Sequence, residues 1–210
     1  MTEADRLAVC IHESGHAVVA AAIGLRCAAA TATPLGGVVE LCRLPPRPAV
    51  APDAARALAV WGLLGFIALA AAGGLAVRDR LDRRPAARWR GAGPEAELCA
   101  LSWSDKAVER ACEAALRRFG VWPAYGVFAA RRFARKTLAR NSAVTARVAA
   151  ALFRHGDLDG AALAALLAPV SPEAMAELGA VAAGLLDTYP AAAPPADATG
   201  ATCGQEQKTC

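Results

Sequence analysis

Residues 57–77, bracketed by Arg56 and Arg78, contain no charged side chain. A stretch of this length and character predicts a helix that is apolar all round, which has two stable surroundings. It lies inside a protein with other elements packed on every side, or it crosses a bilayer. Eleven of these 21 residues are Ala or Gly, which gain little in lipid. The expectation is therefore a buried core helix, with a membrane span over 57–77 as the alternative. The Gly73-Gly74 pair predicts a break near the end of the helix. The charged, Pro- and Gly-containing segment from Asp79 to Gly93 reads as a loop.

The rest of the chain is also patterned for helices. Its 210 residues suit one domain of ordinary size. The hydrophobic content of 56% comes largely from alanine, the best helix former, and 5% aromatic residues argue against a large β-sandwich core. Thr2 followed by Asp5 resembles a capping box at the start of a first helix, whose apolar pattern continues through Ile23 before Gly24 ends it. Residues 25–44 change character. Thr31, Thr33, Val38, Val39 and Leu41 around Pro34 and Gly36-Gly37 predict one or two short strands joined by a turn. Pro45, Pro46, Pro48 and Pro52 form a connector that cannot be helical throughout.

Further helices are expected from Ser104-Asp105 to Phe119 and from Pro123 to Arg140. Three more follow, from Ser142 to Arg154, Gly160 to Leu167 and Pro172 to Leu186. The fold class is thus mainly α, with a small two- or three-stranded β element after the first helix. The expected domain covers 1–189, and the Ala/Pro-rich stretch 190–210 reads as a disordered tail.

Charge and cysteine usage narrow the partners. The net charge is only +4, but no acidic residue lies between Glu113 and Asp157, where nine Arg and Lys side chains fall. A solvated helical face accounts for this, and without an aromatic-interleaved or Gly-rich RNA motif no nucleic acid is expected as partner. The seven cysteines, Cys10, Cys27, Cys42, Cys99, Cys112, Cys203 and Cys210, are odd in number, irregularly spaced and free of any C-x-x-C pair. With no secretory signal in view, they read as reduced, mostly buried thiols in a cytoplasmic protein.

One motif carries chemistry. His12-Glu13-Ser14-Gly15-His16 fits H-E-x-x-H within the first helix. Side chains four apart share a helix face, so both imidazoles can reach one zinc ion, and Glu13 can serve as the general base without being a ligand. With three histidines and ten glutamates in the chain, chance placement of the motif is on the order of one or two per thousand such chains. Catalytic zinc usually takes three protein ligands. A third histidine six residues on is missing, since Val19 and Ala22 occupy the positions that the extended motif gives to Gly and His. His155 lies far away in a predicted loop. A carboxylate is therefore expected, and spacing leaves Glu40, Asp79, Asp82, Glu95, Glu97, Asp105 and Glu109 all open.

The segment Ala8 to Ala20 resembles the zinc helix of the FtsH-type peptidase domain, the peptidase part of the ATP-dependent membrane metalloproteases. The likeness continues in order through Thr33-Pro34-Leu35-Gly36-Gly37-Val38-Val39, similar to that family's active-site strand, and Ala70 to Ala76, similar to its small-residue helix. Ser104-Asp105 with Glu109-Arg110-Ala111 and Arg118-Phe119-Gly120 resembles the helix that delivers its third zinc ligand. Leu138 to Leu167 resembles its C-terminal helical hairpin. Together these cover about residues 4–170.

The resemblance implies a helical zinc-peptidase domain in which His12, His16 and Asp105 hold Zn2+ and Glu13 is the catalytic base. It implies substrate binding at Gly37, Val38 and Val39, where a strand pairs with a protein or peptide substrate. As the relatives' peptidase domains assemble in rings beside an ATPase, it leaves room for a homo-oligomer and a separate ATPase partner. The sequence itself holds no G-x-x-x-x-G-K-[ST] phosphate loop, no N-terminal anchor is read from it, and Val77-Arg78 stands where the family pattern usually has an acidic residue. A zinc metalloendopeptidase acting on flexible or unfolded segments is the resulting expectation, with a catalytically silent zinc-containing binding protein of the same fold as the alternative.

Overall fold

A computed structural model describes residues 2–33, 36–42, 52–81, 103–172 and 174–188. Chain order is α1 (Glu3–Ala22), β1 (Cys27–Thr33), β2 (Gly36–Leu41), α2 (Pro52–Leu81) and α3 (Trp103–Arg118). Then come α4 (Pro123–Arg140), α5 (Ser142–His155), β3 (Asp157–Asp159), α6 (Gly160–Leu167) and α7 (Ala174–Thr188). The architecture is mainly helical with one small antiparallel sheet.

α1 begins as its sequence dictates. The Thr2 hydroxyl accepts from the Asp5 amide at 3.2 Å, and the Asp5 carboxylate accepts from the Thr2 amide at 2.7 Å. These contacts satisfy two N-terminal amides that the helix leaves without internal partners. Every residue from Ala8 to Ala20 is buried. α1 is enclosed because α2 and α5 pack on it and the sheet covers a further side.

α2 is the second central helix, with α1, α3, α4 and α7 all packed on it. Val60, Leu64, Ile67, Ala68 and Ala72 are wholly buried. By length and hydropathy α2 is able to cross a membrane, yet 56% of its apolar window is covered by its neighbours. Two expectations are corrected here. The helix does not break at Gly73-Gly74, and it extends through Asp79 to Leu81 where a loop was expected. Packing of the turn at Gly73 against His12 of α1 outweighs the roughly 1 kcal/mol that each glycine costs a helix.

α1 and α2 approach closely because Gly15 faces Ala72 and Ala76. A β-carbon on Gly15 would lie 2.7 Å from the Ala72 carbonyl oxygen and from the Ala76 side chain. Only glycine on one helix and alanine on the other allow this spacing.

The sheet has the order β2-β1-β3, with both pairings antiparallel. β1 and β2 form the expected hairpin, from Thr33↔Gly36 to Cys27↔Leu41 with a bulge near Cys27. β3 comes from residues read as a loop in the sequence. Gly156, at φ 82°, ends α5, and its carbonyl accepts from the Ala32 amide at 2.7 Å, bringing Asp157–Asp159 alongside β1. A three-residue Asp-Leu-Asp strand is too short to display an alternating pattern. β1 is thus paired on both sides, and among the described residues β2 is an edge strand.

The remaining helices match the expected boundaries to within about two residues, a normal end-fraying margin. Cys10, Cys27 and Cys112 are buried thiols as expected, and Cys42 is exposed. The Pro45, Pro46 and Pro48 connector, the part of the expected loop after Leu81, and the tail at 190–210 lie outside the described residues, as do Cys99, Cys203 and Cys210.

Candidate metal centre

His12 and His16 stand one helical turn apart on α1, both facing α2. The Nδ1–H of His16 donates to the Leu69 carbonyl oxygen at 2.8 Å, which turns Nε2 towards the centre of the cluster. The His12 ring rests on Gly73, whose missing side chain provides its space. Leu69 and Gly73 are themselves one turn apart, so two rungs of α1 meet two rungs of α2. The imidazoles meet edge to face, at 4.6 Å between centroids and 79° between planes.

Asp105 enters from the first turn of α3. Its Oδ2 lies 3.0 Å from His12 Nε2 and 3.3 Å from His16 Nε2, and the two Nε2 atoms are 3.0 Å apart. Donors at three corners of a zinc tetrahedron, each about 2.0–2.1 Å from the ion, stand roughly 3.3–3.4 Å from one another. The observed triangle is slightly contracted from that spacing and needs only a small expansion to accept the ion. Two imidazole nitrogens and one carboxylate oxygen also form a donor set that suits catalytic zinc. Among the described residues these three side chains are the group able to hold a metal ion.

The other acids left open by spacing stand elsewhere or outside the described residues. Glu40 is exposed on β2, and Glu109, a turn beyond Asp105, pairs with Arg131 at 2.6 Å. Asp79 lies near the far end of α2. Asp82, Glu95 and Glu97 lie outside the described residues. His155 closes α5, is exposed and does not join the cluster.

Glu13 lies beside the cluster, 5% exposed. No hydrogen bond or ion pair occupies its carboxylate among the described residues. Gly37 of β2 lies against the Glu13 side chain, where a β-carbon would overlap the Glu13 γ-carbon and carboxylate. Burial pushes the Glu13 carboxyl above the usual carboxylate range, while His16 and His12 pull it partly back. Burial also opposes ionisation of Asp105, but hydrogen bonds to His12 and His16 overcome it and hold this group down at about 2. The Asp105 carboxylate in turn raises His16 against the effect of burial. The ionised Asp105 carboxylate therefore faces the two imidazoles and favours positive charge on His16.

The site opens into a cleft of about 260 Å³. Gly37, Val38 and Val39 line one side along β2, and the partly exposed side chains of Phe66 on α2 and Val108 on α3 form apolar walls. His12, Glu13, His16, Asp105, Gly37, Val38 and Val39 thus come together around one opening. Sequence reasoning missed Leu69, Gly73, Phe66 and Val108. A glycine pair inside an otherwise apolar helix was the available signal for Gly73, and it was read as a break. The chain matches no protein-family model and no curated protein.

Proposed function

We propose that this chain is a zinc-dependent metalloendopeptidase of the FtsH-like type, acting on flexible or unfolded protein segments. The observation that carries the reading is the convergence of His12 Nε2, His16 Nε2 and Asp105 Oδ2 within 3.0–3.3 Å beside the free Glu13 carboxylate. His12, His16 and Asp105 would hold the ion. Zinc, when bound, supplies Lewis-acid chemistry, acidifying a water and polarising a carbonyl.

The chain's own residues supply the rest. A Glu13 carboxylate oxygen takes a proton as water oxygen adds to the peptide carbonyl carbon. It returns that proton to the amide nitrogen as the C–N bond breaks. A raised Glu13 pKa suits both halves of this transfer, since a base poised closer to neutrality also gives its proton back more readily. The outer edge of β2 offers main-chain donors and acceptors to an extended peptide, which aligns the bond to be cut. Apolar walls at Val38, Phe66 and Val108 favour substrates with apolar side chains beside that bond.

The cleft takes extended chain, so structured substrates must be unfolded before they reach it. The enclosure of α2 by four helices supports a cytoplasmic setting over a membrane span through 57–77. Nucleic acid has no place in this reading.

The decisive test is the Glu13→Gln protein with zinc measured by metal analysis. The expected result is stoichiometric zinc and a loss of at least about 100-fold in cleavage of a disordered protein, the contribution of a general base. Cleavage at the wild-type rate by that variant overturns the assignment. Zinc binding by a wild-type protein that leaves disordered chains intact would favour a silent zinc-binding protein.

A further inference from the structure

A second and larger cleft, of about 1060 Å³, lies between the C-terminal half of α3 and the exposed face of α4. Its inner wall is apolar, with Val121 and Pro123 buried and Val127 half-buried. Its rim carries Trp122, 61% exposed, and Phe128, 66% exposed, with Tyr125 (62%) on the same helix. Exposed aromatics of this size are unusual on a solvated helix, which is how the basic stretch reads in the sequence.

The charges around it are unevenly used. Arg131 is held by Glu109 at 2.6 Å and Arg117 lies 3.9 Å from Glu113. Arg132 and Arg135 also line the cleft and are exposed; Arg132 stands within electrostatic reach of Glu177, which Lys136 and Arg140 already pair with, and Arg135 forms no ion pair or hydrogen bond among the described residues. A ligand for this cleft must therefore present both negative charge, for the exposed Arg132 and Arg135 guanidinium groups, and bulky apolar groups, for the Val121–Val127 wall and the aromatic rim.

We infer that this cleft is a docking site for an acidic polypeptide segment carrying large apolar side chains, and that it recruits substrates to the metal centre. The shape favours a peptide over the other anionic partners. A bilayer surface is flat and cannot fill a concave cleft. A continuous phosphate backbone would bring charge against an apolar wall and against Glu113, which stands on the lining. An acidic peptide with spaced Phe or Leu residues places each group where the cleft has its complement.

The position on α3 gives the cleft its use. Asp105 at the start of α3 serves the metal cluster, and Glu113 and Arg117 further along the same helix line the docking cleft. Eight to twelve helical residues span about 12–18 Å. An extended chain covers that axial distance in about four to six residues, and needs several more to pass round the helix, because Glu113 and Arg117 stand on other faces of α3 than Asp105. A segment seated in the cleft would hold a neighbouring stretch of its own chain at high local concentration near the metal centre. Recruitment of this kind suits a peptidase that acts on flexible segments.

The recruitment half of the inference rests on the peptidase reading; the binding half does not, so the experiment separates them. Binding is measured by fluorescence anisotropy on the Glu13→Gln protein, which cannot confuse binding with cleavage. The probe is a labelled twelve-residue peptide of Asp and Glu with two spaced phenylalanines, beside one with Lys replacing every acid and one with Ser replacing both phenylalanines. The acidic, Phe-containing peptide is expected to bind at least tenfold more tightly than either control, and more weakly as salt rises. Arg132→Glu with Arg135→Glu, and separately Phe128→Ser, should each weaken it at least fivefold; all three positions are exposed, and an unchanged circular dichroism spectrum confirms folding. Absence of binding, equal binding of the Lys or Ser peptide, or tighter and equally Arg132/Arg135-dependent binding of phosphatidylserine vesicles or oligouridine overturns the docking site.

For recruitment, the same acidic segment is joined through six glycine and serine residues to a neutral disordered sequence. Wild-type enzyme should cleave it with a lower KM than the unjoined sequence, and the doubly substituted protein should lose that advantage while cleaving the unjoined sequence normally. An equal KM for joined and unjoined substrates overturns recruitment. If wild-type enzyme cleaves neither substrate, the peptidase reading and recruitment fall together, and the binding measurements still decide the docking site.

Discussion

Gly73 on α2 lies against the imidazole of His12 on α1, so closely that a β-carbon would stand within 2.6 Å of both ring nitrogens. The neighbouring Gly74 faces open space, with nothing within 4 Å of the same construction. One glycine of the pair is thus required by the metal cluster, and the other is required by nothing around it.

This contrast makes a paired prediction. Gly73→Ala should leave the fold intact, because only the His12 ring has to move, but should lower zinc affinity at least about 10-fold by turning one ligand out of place. Gly74→Ala should keep zinc affinity unchanged and stabilise the protein by up to about 1 kcal/mol through helix propensity. Zinc titration and thermal melting of both variants check this. Equal zinc affinity in the two would remove Gly73 from the design of the site.

Gly37 makes the corresponding contact with Glu13. Gly37→Ala should displace the Glu13 carboxylate while His12, His16 and Asp105 stay where they are. The expected outcome is near-normal zinc content with kcat on a disordered substrate lowered by about 100-fold, the lower end of what a general base contributes. Loss of zinc in this variant would show that β2 supports the cluster itself rather than the base.

How much of this was legible in the sequence follows from the range of each interaction. The capping box of α1 and the i, i+4 spacing of His12 and His16 are local, and both stand as read. Spacing gave no reason to prefer Asp105, because its approach to His12 depends on how α3 packs on α2, 93 positions along the chain from the histidine it meets. The likeness of Ser104-Asp105 to a known ligand-bearing helix supplied what spacing lacked. β3 was hidden because three residues carry no period, and the Gly73-Gly74 pair was misread because a glycine that breaks a helix and one that lets a ring approach look alike in sequence. The cleft beside Trp122 and Phe128 was hidden for a related reason: its arginines lie on both sides of the aromatic residues in the chain, Arg117 on α3 and Arg131, Arg132 and Arg135 on α4, and they meet only where the two helices come together.

The charge coupling between Asp105 and His16 predicts how stability should depend on pH. His16 has a raised pKa, so its contribution is full below the unfolded value near about 6.5 and fades as pH climbs through the folded one. Glu13, also raised, adds a loss of the same sign above about pH 4. Asp105, held at about 2, contributes above its unfolded value near about 3.9 and loses that contribution only as pH falls towards the folded one. Chelator-treated protein should therefore melt highest on the acid side, between about pH 4 and 6.5. Zinc requires neutral imidazoles and an ionised carboxylate, so its stabilising effect should grow above that window. The measurement is the difference in Tm with and without zinc at pH 5.5 and pH 8; an equal difference at both would rule out the cluster as the zinc site.

The last prediction concerns the apolar stretch at 57–77. Leu64 is fully buried, with its side chain beside Gly126 of α4, so Leu64→Ala should open a cavity and cost about 2–5 kcal/mol of unfolding free energy. If α2 crossed a membrane with its sides facing lipid, the same change would leave no protein cavity and the chain would need detergent to stay in solution. The expected behaviour is a wild-type protein recovered in the soluble fraction without detergent, and a Leu64→Ala variant that is soluble but unfolds at markedly lower urea. Recovery of the wild-type chain only in an alkali-resistant membrane fraction would replace the central-helix reading of α2 with a membrane-spanning one, and would move the metal centre, which leans on Leu69 and Gly73 of the same helix, to the depth of a bilayer.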